Sequence, residues 1–337
     1  MFRWGLIGGS DIAATRMIPA MRAVDQAPVA VASSSPQRAE VFADRQNIEV
    51  ACRDVDELLA RDDIDAVYMS SINRLHAPHT IAAAASGKHV LCEKPVALTV
   101  ADAGEMVRAC ERAGVVFAVN HHLPAHTTHT AVRRIVADGG IGELKSIRVF
   151  FAFELAQRLR GWRLTDPAVG GPVLDLVPHI AAVVNKIAGR PLSATAVTVR
   201  QGNWGLEPPA AGDAFPEDAC MAVVRYPDDV LCQIDVGWST PFARNGLEVN
   251  GTAGSLVAAD VMRADPGGSV TLVTADGRHD LAFDRHEDAY QATLSAFERA
   301  VADGSEPTVS GREGALALTL TVAIRESART GSIAPIA

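Results

Sequence analysis

The 337-residue chain lacks a cysteine framework, an excess of positive charge and a long apolar run. Its five cysteines are odd in number and show no C-x-x-C spacing, which excludes a disulfide scaffold and favours buried free thiols in a reducing compartment. The net charge of −9 gives no electrostatic footprint for nucleic acid or an anionic membrane. No apolar segment is long enough to span a membrane, and the N-terminus shows no signal-peptide pattern. We therefore expect a soluble, cytoplasmic protein.

What the chain does have is a regular alternation of strand and helix patterns in its first third. Short apolar strands are predicted at 2–7, 29–32, 65–70, 89–92 and 115–119. Helical segments lie between them, and this alternation predicts a parallel, doubly wound sheet. After residue 140 several strand patterns follow one another with few helices between them, which predicts a mostly antiparallel sheet. The expected α/β protein has a Rossmann domain at 1–120 and an α+β domain with a large open sheet at 121–337.

A degenerate dinucleotide-binding turn lies between the first strand and the first helix. Gly8 takes the first glycine position of the fingerprint, Ser10 the second and Ala13 the third. Serine is small enough to let a pyrophosphate approach the backbone, and alanine still allows close packing of helix on strand. The start of the helix offers amides and a positive dipole to a phosphate. The pattern favours a dinucleotide site, and a glycine-rich turn of an ordinary βα unit is the alternative.

The end of the second strand bears on the choice of cofactor. An Asp or Glu there would bind the ribose 2′-hydroxyl of NAD, whereas a nearby arginine suits the 2′-phosphate of NADP. This chain has Ser33 and Ser34 at that place and Arg38 one turn into the next helix. Because there is no carboxylate to repel a phosphate and Arg38 can pair with one, the pattern favours NADP.

Lys94 is the first candidate catalytic residue. It follows the buried strand of His89–Cys92 and precedes Pro95, which restricts the backbone of the lysine. Ligands of open α/β sheets bind outside the carboxyl ends of the strands, where Lys94 is expected to lie. The alternative is a surface lysine at the start of a loop.

Two stretches in the second half of the chain carry further candidates. Trp162 and Arg163 place an aromatic face beside a cation, which suits a sugar ring and its hydroxyls, although a packed tryptophan with a surface arginine is as good an interpretation. Asp175 and His179 are four residues apart and share a face if the segment is helical. A carboxylate beside an imidazole can fix its tautomer and raise its proton affinity, as a general acid requires.

Four closely spaced histidines raise the question of a metal site. They are His121, His122, His126 and His129. No Cys, Asp or Glu joins them within the segment, and Pro124 interrupts the local helix. We therefore expect no metal, and a zinc enzyme stays the minor alternative.

Taken together, these motifs resemble the glucose–fructose oxidoreductase / inositol dehydrogenase (Gfo/Idh/MocA) family over the whole chain. The matching segments are 3–8, 65–68, 89–95, 120–123, 161–164 and 174–175 with His179. The Glu93-Lys94-Pro95 segment is the most specific of them, and in that family the bond before this proline is often cis. We therefore expect a cis peptide between Lys94 and Pro95.

The resemblance implies roles for particular residues. It implies an NADP(H) site formed by Gly8, Gly9, Ser10, Asp11, Ile12, Ser33, Ser34 and Arg38. It implies that the nicotinamide end is lined by the Ser71–His76 loop with Asn73, and by Glu93, Lys94 and Asn120. It implies that Trp162, Arg163 and Tyr290 close over cofactor and sugar. The resemblance implies a catalytic group that consists of Lys94, Asp175 and His179.

The implied activity is the NADPH-dependent reduction of a sugar ketone, with 1,5-anhydro-D-fructose as the favoured substrate. The alternatives are an NAD(P)-dependent dehydrogenase that oxidises another sugar or a cyclitol, and a non-catalytic NADP-binding regulator. Self-association through the open sheet is left open. Two features depart from the family: Ala182 replaces an acid that often follows the histidine by three residues, and the loop at 202–216 is long. A loop of that length can reshape the mouth of the substrate site.

Overall fold

Strands and helices alternate along the first part of the chain and switch to successive strands in the second. A computed structural model describes residues 1–206, 215–263, 267–283 and 288–336. Most of the loop at 202–216 therefore lies outside the described residues. The chain divides into two compact units, Met1–Ala125 with Glu287–Leu318, and His126–His286 with Thr319–Ala337. The two-domain division at residue 120 stays a prediction. The segment Glu287–Leu318 belongs to the first unit, whereas the sequence analysis assigned it to the second domain.

The first unit is built on a six-stranded sheet in the order β3-β2-β1-β4-β5-β6. Its strands are β1 (Arg3–Ile7), β2 (Ala27–Ala32), β3 (Val50–Ala51), β4 (Ala66–Met69), β5 (His89–Cys92) and β6 (Phe117–Val119). All neighbouring pairs are parallel, as predicted, because each connection crosses over through a helical segment.

The helices of this unit are α1 (Ile18–Ala23), α2 (Pro36–Gln46), α3 (Val55–Leu59), α4 (His76–Ala85), α5 (Val100–Ala113) and α9 (Ala289–Asp303), with a short π-helical turn (Ala13–Met17) before α1 and a 3-10 turn (Asn73–Leu75) before α4. Their ends follow ordinary capping chemistry: Thr99 caps α5 by accepting from the Asp102 amide, and Gly114 ends it with φ +67°. A further 3-10 turn (Leu123–Ala125) follows β6.

The second unit is built on a nine-stranded sheet in the order β14-β13-β12-β11-β7-β10-β9-β8-β15. Its strands are β7 (Leu144–Ala152), β8 (Ser193–Val199), β9 (Ala219–Arg225), β10 (Leu231–Gly237), β11 (Asn245–Gly251), β12 (Gly254–Ala259), β13 (Ser269–Thr274), β14 (Gly277–Asp280) and β15 (Ala334–Pro335). Only the pair β7–β10 is parallel within this described sheet, so the predicted mostly antiparallel sheet is confirmed.

The helices of the second unit are α6 (Thr127–Ala137), α7 (Gly161–Thr165) and α8 (Pro172–Ala188), with 3-10 turns at Gln157–Leu159 and Pro227–Asp229. Helix α8 packs on β7, β9 and β10. Its apolar side chains, among them Val177, Ile180 and Val184, are buried. Helix α10 (Gly311–Thr330) contributes to both units and begins with a capping box formed by Ser310 and Glu313.

The five cysteines are all buried with free thiols, as expected from their number and spacing. Burial raises the pKa of the Cys110, Cys220 and Cys232 thiols to about 12, so these sulfur atoms stay protonated at neutral pH. None of the described helices is long and apolar enough to cross a membrane.

A buried glutamine ties α9 to the first unit. The Trp4 indole donates to Gln26 Oε1 at 2.8 Å, and Gln26 Nε2 donates to Glu298 on α9 at 2.8 Å. The ring of Phe297 lies beside this link, with its centroid 5.2 Å from that of Trp4.

We predict that Gln26→Leu lowers the free energy of unfolding by about 1–3 kcal/mol, because the buried Trp4 N–H loses its acceptor. Urea denaturation followed by tryptophan fluorescence measures the change. Gln37→Leu, on the exposed side of α2, is the matched control and should stay within about 0.5 kcal/mol of the wild type. Equal stability of the two variants would contradict a structural role for Gln26.

Candidate active site

The carboxyl edge of the six-stranded sheet gathers polar residues from four strands. Strands β1, β4, β5 and β6 lie side by side and end before Gly8, Ser70, Glu93 and Asn120. The chain order reverses between β1 and β4, which is the switch point where doubly wound sheets bind their ligands.

The glycine turn is fastened to the end of β4. Gly8 has φ +112°, and a Cβ atom there would lie 2.7 Å from the Ser70 carbonyl carbon, so glycine is required at this position. The Ser70 hydroxyl donates to the Gly8 carbonyl at 3.0 Å, and the Ser10 hydroxyl bonds to Ser70 at 2.8 Å. The helical segment then begins at Asp11, so its first amides follow the turn directly.

The end of β2 presents hydroxyls and one cation. Ser35 caps α2 by accepting from the Arg38 amide at 3.3 Å. The Arg38 guanidinium donates to the Ser34 hydroxyl at 3.2 Å, and both side chains are exposed. Ser33 follows β2 directly, so the three residues chosen from the sequence lie together at this strand end.

A carboxylate organises the ends of β4, β5 and β6. Glu93 Oε1 accepts from the Tyr68 hydroxyl at 2.7 Å and from Asn120 Nδ2 at 2.6 Å, while Glu93 Oε2 accepts from the Lys94 amide at 3.3 Å. Tyr68 is fully buried, and burial with the neighbouring Glu93 raises its pKa well above the usual value. Its proton therefore stays on the hydroxyl and is directed at Glu93.

The peptide bond between Lys94 and Pro95 is cis, as expected. Buried His76 connects the loop that follows Lys94 to the loop that follows β4. Its Nδ1 lies 3.0 Å from the Pro95 carbonyl oxygen, and its Nε2 lies 3.0 Å from the Ser71 carbonyl oxygen. Burial lowers the pKa of His76, whereas both carbonyl oxygens and Glu93 oppose this shift. Asn73 lies in the 3-10 turn between Ser71 and His76.

The histidines after β6 differ in their surroundings. Burial, with the nearby charge of Lys94, lowers the pKa of His121 to about 3, so this imidazole is neutral at physiological pH. The ring of His122 stacks on Tyr290, with centroids 4.5 Å apart. The amide of Tyr290 donates to Asp288, which caps the start of α9. Among the described residues no group of three or more His, Cys, Asp or Glu has the geometry of a metal site.

In the second unit an arginine links the two stretches singled out from the sequence. The Arg163 guanidinium donates to Asp175 Oδ2 at 3.0 Å and lies 4.5 Å from the centre of the Trp162 ring. Trp162 is 45% exposed, whereas Asp175 and Arg163 are mostly buried. Both Asp175 and the buried His179 lie on α8, one turn apart, as their spacing predicted.

Sequence reasoning missed two residues and one ion pair that shape these surroundings. Tyr68 was assigned only to a strand, the Arg163–Asp175 ion pair was not foreseen, and Asp218 was not singled out. A tyrosine in an otherwise apolar strand is the one local signal that could have pointed to Tyr68, because its hydroxyl needs a partner when buried.

We predict that Tyr68→Phe lowers both stability and kcat. The variant removes one of the donors to the half-buried Glu93, which costs about 1–3 kcal/mol in unfolding free energy, and it loosens the loop that carries Lys94. Tyr226→Phe is the matched control, since it also removes a buried hydroxyl bond, to Asn185 at 2.8 Å, but in the second unit. Thermal melts and steady-state assays measure the two effects. A kcat loss of the same size in both variants would argue against a role of Tyr68 through Glu93.

Comparison with known proteins places these features in a family. The family model described as oxidoreductase family, NAD-binding Rossmann fold, matches residues 2–121, and the Gfo/Idh/MocA C-terminal domain model matches residues 129–257. A 1,5-anhydro-D-fructose reductase from Ensifer adhaerens is 40% identical over 100% of this chain and 99% of its own.

Two further relatives are more distant. A D-xylose 1-dehydrogenase (NADP(+)) from Haloferax volcanii is 29% identical over 98% of each chain. The solved structure of a 3-ketoreductase from Actinomadura kijaniata, in complex with NADP and TDP-benzene, is 26% identical over 97% of each chain with a TM-score of 0.80. From the two family matches and the full-length likeness at 40% identity, we conclude that the chain belongs to the Gfo/Idh/MocA family of NAD(P)-binding oxidoreductases.

Proposed function

We propose that the protein is an NADPH-dependent reductase of sugar ketones, with 1,5-anhydro-D-fructose as its first candidate substrate and an anhydro-alditol as product. The observation that carries the proposal is the fixed Glu93–Lys94 loop at the carboxyl edge of the sheet. It holds the backbone of Lys94 at the end of β5, two strands away from the β1 end that carries the glycine turn. The full-length likeness to a 1,5-anhydro-D-fructose reductase supports the choice of sugar.

The residues of the first unit fit a dinucleotide. The turn at Gly8 approaches the end of β4 so closely that a side chain would fill the space, and the amides of Asp11 and Ile12 begin a helical segment next to it. NADPH, when bound, supplies the hydride. In this proposal Gly9, Ser10 and the helix start hold the pyrophosphate, and Asn120 and Glu93 border the nicotinamide.

The catalytic group of the proposal is Lys94, His179 and Asp175. As the ketone is reduced, negative charge grows on its oxygen, and the ammonium of Lys94 stabilises that charge. His179 donates the proton that neutralises the oxygen. Asp175, held by Arg163, orients His179 without the additional acid that Ala182 replaces. Trp162 and Tyr290 cover the ring and the cofactor and exclude water.

Three side chains support NADP as the cofactor. Ser33 and Ser34 stand where an NAD-preferring chain has a carboxylate, and the Arg38 guanidinium already lies against the Ser34 hydroxyl. An exposed guanidinium can donate two hydrogen bonds to a phosphate, and because the Ser34 hydroxyl is neutral, no ion pair has to be broken for this.

Oxidation of a sugar or cyclitol is the second candidate function, and the likeness to a D-xylose 1-dehydrogenase supports it. The same residues serve both directions, since a group that donates a proton in reduction accepts one in oxidation. Assays of anhydro-, keto- and inositol-type sugars with NADPH, NADH and the oxidised cofactors decide between the two. A protein that binds NADP(H) but turns over none of them would instead be a regulator.

Self-association belongs to the same proposal. A row of apolar side chains lies exposed on the outer face of β8, β9 and β10, namely Val197, Val199, Met221, Val223 and Leu231. A second copy of the chain that pairs through this face would remove the row from water. Light scattering gives the oligomeric state.

We predict that Arg38→Ala weakens NADPH binding by about 1–3 kcal/mol, the cost of a lost charge-assisted contact, and leaves NADH binding nearly unchanged. Fluorescence titration of the two reduced cofactors measures both dissociation constants. Arg45→Ala, in the last turn of the same helix, is the control for a general loss of positive charge. Equal losses for NADPH and NADH would show that Arg38 does not contact the 2′-phosphate.

We predict that His179→Ala lowers kcat on the order of a hundredfold or more and changes KM much less, because general acid catalysis contributes about 10²–10⁴-fold. Asp175→Asn lowers kcat in the same way, and the double variant is little worse than His179→Ala alone, since the two residues act as a unit. Steady-state kinetics with NADPH provides the numbers. A near-normal kcat in His179→Ala, together with an inactive Lys94→Ala, would make Lys94 the proton donor.

A further inference from the structure

The connection between β8 and β9 contains a buried carboxylate that no catalytic role accounts for. Asp218 has no exposed surface, and its two oxygen atoms accept from the Gln201 amide, the Gly202 amide and the Trp204 indole, each at 2.7 Å. Three short bonds to a charged acceptor compensate the cost of burying it. The described part of this connection before β9, residues 200–206 and 215–218, is therefore held in a defined conformation.

Trp204 is the residue that this arrangement fixes in place. Its indole nitrogen is bonded to Asp218, and the guanidinium of Arg160 lies 4.9 Å from its ring centre. Gly202 approaches the ring so closely that a Cβ atom there would lie 2.6 Å from the indole. The ring is nevertheless only half-buried. An aromatic side chain that is held from several sides and still reaches solvent is prepared for a ligand, because little conformational entropy remains to be lost on binding.

The same connection packs on the segments that carry the candidate catalytic residues of this unit. Arg200 donates to the Pro216 carbonyl at 2.9 Å and to the Leu164 carbonyl, at the end of α7, at 3.4 Å. A Cβ atom at Gly170, just before α8, would lie 2.9 Å from Pro216. Arg160, which covers Trp204, comes immediately before the Gly161–Thr165 helix with Trp162 and Arg163. Trp204 thus lies beside the residue that precedes α7, and the connection that carries it packs on the residue just before α8.

We propose that Trp204 is a specificity residue that forms a second aromatic wall of the sugar site, beside Trp162, and that Asp218 is its positioning residue. This rests on the proposed reduction of sugar ketones. The apolar C–H face of a sugar ring packs on an indole, and a ring fixed in this way selects among sugars by the substituents that face it. A hydroxyl or a larger group on that face costs affinity, whereas the reacting carbonyl is unaffected.

The test compares three variants in the full-length protein with a panel of sugar ketones. Trp204→Ala removes the wall, Trp204→Phe keeps a ring but loses the bond to Asp218, and Asp218→Asn places an NH₂ group against N–H donors. We expect Trp204→Ala to raise the KM of the best sugar by about tenfold, with kcat within about threefold of the wild type. The other two should raise KM less, and all three should change the order of preference among the sugars.

Two controls separate specificity from structure. The dissociation constant of NADPH, measured by fluorescence without sugar, should stay unchanged in every variant. Phe215→Leu removes an aromatic ring that packs on Arg200, at 4.3 Å, in the same connection, and it should leave the sugar preference as it is. If Trp204→Ala does not fold, Trp204→Phe and Asp218→Asn carry the test.

The outcomes distinguish this proposal from the one on which it rests. Folded Trp204 variants with unchanged KM and unchanged preference would overturn the role of Trp204 while the reductase assignment stands. A wild type that neither turns over nor binds any sugar of the panel, measured by calorimetry with NADP⁺ present, would overturn both. A raised KM for NADPH in step with that for sugar would show that Trp204 serves only the fold.

Discussion

The Glu93 carboxylate is the interaction on which the geometry of the first unit's strand ends depends. Glu93 is half-buried, and its carboxylate accepts hydrogen bonds from Tyr68 on β4, from Asn120 after β6 and from the amide of Lys94. The ends of β4, β5 and β6 are therefore held in fixed positions relative to one another. His76 extends it by joining the two loops through carbonyl oxygens on both sides of its ring. The direction in which Lys94 leaves the sheet follows from these contacts rather than from the lysine itself.

The second unit uses carboxylates differently. Asp175 is compensated by a guanidinium, whereas Asp218 is compensated by three neutral N–H groups. A fully buried carboxylate with three donors is costly to disturb, because any donor that is lost leaves it unsatisfied. Asp218 therefore fixes its surroundings through neutral donors, and the mostly buried Arg163–Asp175 pair does so through an ion pair.

Local patterns in the sequence account for the elements and for their ends. The alternation of strands and helices, the caps at Thr99 and Ser310, and the turn at Gly8 each depend on residues within a few positions of one another, so their physics is visible in the sequence. The bonds from Tyr68 to Glu93 and from Trp204 to Asp218 join residues 25 and 14 positions apart. No periodicity encodes such partners, because only the packed strands and loops bring them together. Arg38 and Ser34 lie one helical turn apart, which is why the sequence could place them side by side.

The return of residues 287–318 to the first unit has a consequence for biosynthesis. Until this segment has left the ribosome, the rings of Phe2 and Trp4 lack the Phe297 ring against which they pack, and Gln26 lacks Glu298. The sheet of the first unit is translated early, yet its helix α9 arrives only after strands β7 to β14 of the second unit have been made. The nascent chain therefore carries an incomplete apolar surface until residues 287–318 have been synthesised.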